Sequence, residues 1–470
     1  MPAGGLIQLV TARGEQDLYI IGNPQISLFK TVYRRHTNFS CETVREIFGS
    51  SIGGSPANFG KTTMCTLPVI GDLVTNLTLN VNLGSLNPEY DLALLNAENN
   101  EHVECDEVIG DNGDVLNNIC ACQQCIDEQY KEELLFGWVN SLGHALVKST
   151  WITIGGVVID KQYGEWLEIW IELTQTQEKR DVYYQMIGKV DHTAYTATTF
   201  TGDMELYIPL NFWFCKNYGL ALPILSLYNQ QIQVYVDFRK FNELWIKNKP
   251  LNQVPQEPNF DASLLIEYVY LDVDERQQIY DESHMYLIEQ VQASDDYDCS
   301  AIMNPIDFYF NHPTKELVWV VQRNDVVGKP QGVFAGTNYP IGNDWFNYSS
   351  YKCRAVSKIK DPFNRAVIQF NGADRFTPMP ASYFRLLQPY YRHTRGPVNY
   401  IYSYSFAIKP EEHQPTGHIN LSQVDNMRLL IEMRNDVSPL EKSSHTARVY
   451  GINYNILVIT EGMGGLLFMN

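Results

Sequence analysis

From Leu73 to Val81 every second residue (Leu73, Thr75, Leu77, Leu79, Val81) is aliphatic or β-branched, while Asn76, Thr78 and Asn80 stand among the residues between. A period of two sends successive side chains to opposite faces of a pleated strand, so the stretch predicts a half-buried strand. Comparable runs recur: "STWITIGGVVID" (149–160), "ELYIPLNFWF" (205–214), "QIQVYVDF" (231–238), "LLIEYVYLDV" (264–273), "ELVWVVQR" (316–323), "RAVIQF" (365–370) and "GINYNILVI" (451–459). Gly, Pro, Asn or Asp bound them, and that punctuation predicts an all-β chain. One helix stands out, at "YGEWLEIWIELTQT", where Trp166, Ile169, Trp170 and Leu173 fall at i, i+3, i+4 and i+7. Its apolar stripe is expected to pack against the end of a sandwich.

"LSLYNQQIQVYVDF" begins at Leu225 and "LSQVDNMRLLIEM" at Leu421, 196 residues later. The echo predicts two successive β modules of about 200 residues each. The Gly-Pro punctuated connector at 216–226 is expected to separate a first module (26–215) from a second (227–470), with 1–25 as an N-terminal segment. Residues 84–133 are crowded with Asp, Glu and Asn and are expected to form a long exposed insert in the first module.

With 44% hydrophobic residues over 470, the chain can bury large cores. Its 54 acidic residues against 35 Lys and Arg give a formal charge of −19, a field that repels DNA, RNA and anionic lipid. No apolar run approaches the ~20 residues of a membrane-spanning helix, and "MPAGGLIQLVTARGEQD" lacks the features of a secretory signal. A soluble, unsecreted product is expected, with its nine cysteines mostly as thiols. Against this background "GNPQISLFKTVYRRHTNF" (22–39) raises a question, because Lys30, Arg34, Arg35 and His36 alternate with Phe29, Tyr33 and Phe39. Nucleic-acid grooves use that mixture for phosphate contact and base stacking.

Three motifs invite chemistry. "GGSPANFGKTT" (53–63) approaches a phosphate loop, but Ser55 occupies the first glycine position and the β-branched residues after it give no helix N-terminus, so a hairpin turn is expected. "PEEHQPTGH" (410–418) sets His413 and His418 five apart around Pro415 and Gly417, where a zincin needs i and i+4 on one helix. Cys105, Cys120, Cys122 and Cys125 could close a tetrahedral zinc site, with free thiols as the alternative. No serine- or cysteine-based catalytic set can be assembled, and no enzyme is expected.

Several long stretches resemble the major capsid protein of nucleocytoplasmic large DNA viruses of the chlorella virus, mimivirus and marseillevirus type. They are "GGLIQLVTARGEQDLYIIGNPQISLFKTVYRRHTNF" (4–39), "ITIGGVVIDKQYGEWLEIWIELT" (152–174), "LYIPLNFWFCKNYGLALPILSL" (206–227), "FAIKPEEHQPTGHINLSQVDN" (406–426) and "NYNILVITEGMGGLLF" (453–468). The resemblance implies a double jelly roll, two eight-stranded antiparallel sandwiches in tandem with short helices in loops. It also implies homotrimeric, pseudo-hexagonal capsomers in the icosahedral shell of a virion assembled in the host cytoplasm. Minor capsid and penton proteins would be partners, the inner viral membrane would be reached through minor proteins, and no direct contact with the genome is implied. In that family the N-terminal segment lies at the capsomer base, so Lys30, Tyr33, Arg34, Arg35, His36 and Phe39 are expected as assembly contacts. The insert at 84–133 departs from the better-known members. The aromatic loops 376–397 and 346–351 are expected at lateral contacts, or else packed within the chain. A lectin-like jelly roll is the competing function, with "NDWFNYSSY" (343–351) as its sugar platform.

Overall fold

The computed structural model describes residues 15–31, 33–49, 56–86, 136–190, 202–247, 256–327, 330–333, 340–350, 360–434 and 444–469. Residues 1–39 form one compact unit and 40–470 another. Among the described residues, sixteen of the twenty-four strands build the two sandwiches. The first eight are β1 (Phe39–Ile47), β2 (Thr62–Thr66), β3 (Leu73–Leu83), β4 (Val147–Ile154), β5 (Val157–Tyr163), β6 (Met204–Pro209), β7 (Ile232–Phe238) and β8 (Phe260–Leu271). The second eight are β9 (His284–Ala293), β10 (Met303–Phe308), β11 (Pro313–Arg323), β12 (Phe363–Phe370), β13 (Ala373–Asp374), β14 (Tyr402–Ser405), β15 (Met427–Met433) and β16 (His445–Thr460).

Their pairing repeats with a shift of eight. The first roll has sheets β1-β8-β3-β6 and β2-β7-β4-β5, and the second has β9-β16-β11-β14 and β10-β15-β12-β13. Turn chemistry repeats as well. Gly155 and Gly156, both at positive φ, join β4 to β5, and Asn371-Gly372, also both at positive φ, joins β12 to β13. Two positive-φ residues make the tight turn whose twist matches antiparallel strands. The 196-residue echo falls on β7 and β15, which hold the same place in the two rolls.

The expected boundary does not hold. The stretch 216–226 lies inside the first roll, because β7 and β8 follow it and pair with β2, β4 and β3. The echo marks the seventh strand of each roll, so it measured the period of the repeat and not its starting point. The rolls meet between β8 and β9, across the helix Val273–Asp281. The insert also begins later than residue 84: the Gly84 amide donates to the Asn259 carbonyl at 2.9 Å and Leu86 is buried. The phosphate-loop look-alike is a turn at Phe59–Gly60 that leads into β2, a strand and not a helix.

The core explains the strand sequences. Along β11 nearly every residue is buried, because the sheet β9-β16-β11-β14 is covered on both faces. Leu317, Trp319 and Val321 face the second sandwich, while Val318 and Val320, with Tyr450 and Ile452 of β16, join the apolar cluster of the first. A sheet covered twice needs an unbroken apolar run, which "ELVWVVQR" supplies. Each such side chain fully removed from water contributes roughly 1.5–3 kcal/mol, so the cluster shared by the two rolls joins them into one block.

Candidate assembly surfaces

The predicted helix is α1 (Gly164–Thr174), and it directly follows β5. Gly164 is required at this corner, since a Cβ there would collide with the carbonyls of His144 and Val147. Trp166, Ile169, Trp170 and Leu173 are buried as the periodicity predicts, but so are Glu165, Glu168 and Glu172 on the rest of the helix. Each carboxylate has partners. Glu168 accepts from Lys189 Nζ at 2.6 Å and lies 2.6 Å from His144 Nδ1, and Glu172 accepts from Lys189 at 2.5 Å and from the Tyr184 hydroxyl. Burial alone would raise both carboxyls, yet Lys189, joined at Glu168 by His144, holds them below the usual carboxylate range.

Further partners of α1 come from the second roll. Arg448 Nη1 donates to both Glu165 oxygens at 3.0 and 3.2 Å, the Tyr450 hydroxyl donates to Glu165, and the Val398 amide donates to Glu172 at 3.1 Å. Beside the helix, β5 runs along β9, where the Val291 amide donates to Asp160 Oδ1 at 3.2 Å and Gln290 donates to the Ile159 carbonyl. Lys216 of the first roll and Lys315 of the second share Glu289. Buried ion pairs add little net stability but penalise any arrangement that separates them. They therefore fix one relative placement of the rolls.

Among the described residues many exposed apolar side chains lie on connections. At one end of the first roll Val69, Ile70, Tyr218, Tyr228, Val273 and Tyr280 are exposed on the β2–β3, β6–β7 and β8–β9 connections. On the segment 376–397 of the second roll, Phe384 is fully buried against Trp319, whereas Leu386, Leu387, Tyr390 and Tyr391 are exposed. The companion loop turns inward instead: Phe346 and Tyr348 are 3% and 1% exposed, so 346–350 packs within the chain and offers no lateral contact. In the N-terminal unit Lys30, Tyr33, Arg34, Arg35, His36 and Phe39 are all exposed, Tyr33 at 84%, and His36 lies edge-on to Phe39.

Cys105, Cys120, Cys122 and Cys125 lie outside the described residues. Among the described residues Cys41, Cys65, Cys215 and Cys299 are free thiols, and no cluster of His, Cys, Asp or Glu has a metal-site arrangement. The "PEEHQPTGH" turn has a structural role: Glu411 accepts from His393 Nδ1 at 3.0 Å and from the Thr394 amide, while His393 Nε2 faces the buried Glu316 at 3.1 Å. Burial disfavours the imidazolium, but these two carboxylates raise its pKa to about 9. Trp345, the supposed sugar platform, donates Nε1 to the Glu243 carbonyl and has its ring covered by Arg239.

A chain of two like eight-strand sandwiches, bolted by a buried helix and carrying exposed apolar loops, has the build of a double jelly-roll shell protein. Its sequence matches two family profiles end to end, "Major capsid protein N-terminus" over residues 27–272 and "Large eukaryotic DNA virus major capsid protein" over 275–465. It is 30% identical to the major capsid protein of Phaeocystis pouchetii virus, with all of both chains covered. It is 33% identical to that of Pyramimonas orientalis virus, covering 99% of this chain and 100% of the relative. The fold matches the crystal structure of PBCV-1 VP54 with a TM-score of 0.69 at 24% identity, over 94% of this chain and 100% of that one. The chain belongs to the major capsid proteins of large eukaryotic DNA viruses and is a structural component of the virion shell. The profile junction, between residues 272 and 275, falls where the strand pairing divides the rolls.

Proposed function

We propose that three copies of this chain form one pseudo-hexagonal capsomer of an icosahedral shell. The observation that carries the reading is the shift-by-eight repeat, which gives each chain two equivalent β towers in fixed relation. Three chains around a threefold axis then present six similar towers, so one gene product fills a hexagonal lattice position. Leu386, Leu387, Tyr390 and Tyr391 supply apolar and aromatic material for the contacts between chains. Lys30, Arg34, Arg35 and His36, with Tyr33 and Phe39, meet carboxylates of neighbouring chains or of minor capsid and penton proteins, for which the arginine fork is suited. The inner membrane is reached through minor proteins, and the formal charge of −19 supports a shell that leaves the genome uncontacted.

Light scattering at micromolar concentration tests the assembly. A mass of about three times 53.9 kDa that persists in high salt is expected, because an interface dominated by apolar contacts is not screened. A monomer in both low and high salt overturns the capsomer reading.

A further inference from the structure

Of the cations along the seam between the rolls, Arg448, Lys216 and Lys315 are paired with carboxylates and Arg239 is not. Arg239 follows β7, and its guanidinium sits over the Trp345 ring, with Cζ 3.7 Å from the ring centroid. Among the described residues no oxygen accepts a hydrogen bond from that guanidinium, and its Nε is buried without a partner. Burial lowers its pKa to about 10, with Glu165 and Glu243 opposing the shift, and at neutral pH it remains a cation. Arg239 is partly exposed, so its Nε is shut off from partners while the outer N–H groups keep contact with the space beside it.

That space exists. A cleft of about 370 Å³ opens between the rolls, with Arg239, Lys148 and Tyr163 on the side of the first and Asp295, Trp345 and Arg448 on the side of the second. Its other cations are already used. Arg448 is held by Glu165, Asp296 and Gln322, and Glu165 also accepts from Tyr450. Lys148 sits 3.8 Å from Asp237 and is largely exposed. The Tyr163 hydroxyl has no hydrogen-bond partner among the described residues. The lining therefore offers an open guanidinium edge and an open hydroxyl beside aromatic walls.

We infer that this cleft is a carboxylate-binding site in which Arg239, oriented by Trp345, is the receptor. A guanidinium stacked on a ring keeps its in-plane N–H groups free, and two parallel N–H donors match the two oxygens of a planar carboxylate. Asp295, exposed at the rim without an ion-pair partner among the described residues, repels a second negative charge. The site thus takes a monocarboxylate in preference to succinate or phosphate. The same group can come from a free small carboxylate or from an acidic side chain of an adjacent copy.

The test uses the purified full-length chain in its native oligomeric form. Sodium acetate is titrated at constant ionic strength against sodium chloride and followed by saturation-transfer NMR, with succinate and inorganic phosphate as comparison ligands. Expected is saturable acetate binding, roughly millimolar, weakened at least tenfold by Arg239→Gln and also by Arg239→Lys, which keeps charge but loses the fork. Arg239→Gln without ligand should still melt cooperatively, its melting temperature lowered only by loss of the stack on Trp345, because the guanidinium loses no hydrogen bond there; this separates lost binding from misfolding. If the wild type binds no acetate but Arg239→Gln dissociates the oligomer on dilution, the carboxylate belongs to a neighbouring chain. Acetate binding unchanged by Arg239→Gln, or neither binding nor an effect on the oligomer, overturns the site.

Discussion

Replacing Lys189 by Met removes the cation that holds two buried carboxylates together. Lys189 is 5% exposed and Glu168 and Glu172 are each 1% exposed, at 2.6 and 2.5 Å from its amine. After the change Glu168 keeps His144, but Glu172 retains the neutral Tyr184 hydroxyl and Val398 amide and, of nearby cations, the weaker field of Arg395. Removing one partner of a buried pair costs about 3–5 kcal/mol, because the remaining charge is left unsolvated. The sign of the pH dependence follows. In the wild type both carboxyls are held below their ordinary pKa, so their contribution is full above the ordinary carboxylate pKa and is lost only as pH falls through those depressed values. In Lys189→Met burial acts on Glu172 against only the weaker field of Arg395 and two neutral donors, its carboxyl rises, and the variant gains stability as pH falls. Urea unfolding followed by circular dichroism at one fixed protein concentration, at pH 8 and pH 5.5, should show the larger deficit at pH 8. Glu172→Gln combined with Lys189→Met should recover much of the loss, since a neutral amide needs no counter-ion. A deficit below about 1 kcal/mol, or one equal at both pH values with no rescue, refutes the reasoning.

At the seam Asp160 is buried, and desolvation raises its carboxyl to about 6 despite its hydrogen bonds to Gln162 and the Val291 amide. The stability tied to its protonation is full below its ordinary pKa and lost as pH rises through about 6, so Asp160→Asn should flatten the pH profile and be more stable than wild type at pH 8 by up to about 3 kcal/mol. Parallel urea midpoints from pH 5 to 8 in both proteins would contradict this. If Cys105, Cys120, Cys122 and Cys125 close a zinc site, protein purified without chelator carries about one zinc per chain and loses it on Cys122→Ser. Elemental analysis that finds no metal favours free thiols.

Much of the architecture was legible in the sequence because strand periodicity is local. Leu73 to Val81 alternates where β3 has one polar side, and "ELVWVVQR" is continuous where β11 is covered twice. The phase of the repeat was harder, since a pair of similar segments reports its spacing but not which strand of each module it occupies. A better marker was present. Gly155-Gly156 and Asn371-Gly372 are two-residue hairpin turns that each join the fourth strand of a roll to its fifth, and counting back from them places the junction after β8. The aromatic loops divided for a comparable reason. Composition marks Phe346 and Tyr390 alike as sticky, and only the tertiary fold buries the first and exposes the second.

The polar face of α1 was illegible for a different reason. Glu165, Glu168 and Glu172 recur at helical spacing opposite an apolar stripe, and in a surface helix that pattern marks the solvated side. Here the solvent is replaced by Lys189 and His144 from nearby in the chain and by Arg448, 283 residues from Glu165. No local rule encodes a partner at that distance. Its presence bears on what the folding unit is. A fragment ending after β8 contains all eight strands of the first roll, yet it leaves Glu165 without Arg448 and Tyr450, Glu172 without the Val398 amide, and the apolar cluster without Val318, Val320, Tyr450 and Ile452. Strand pairing divides the chain in two; burial and charge do not. A shell tile that must keep two towers in constant register gains from that difference, because a rotation of one roll against the other opens the shared core and strands its charges together.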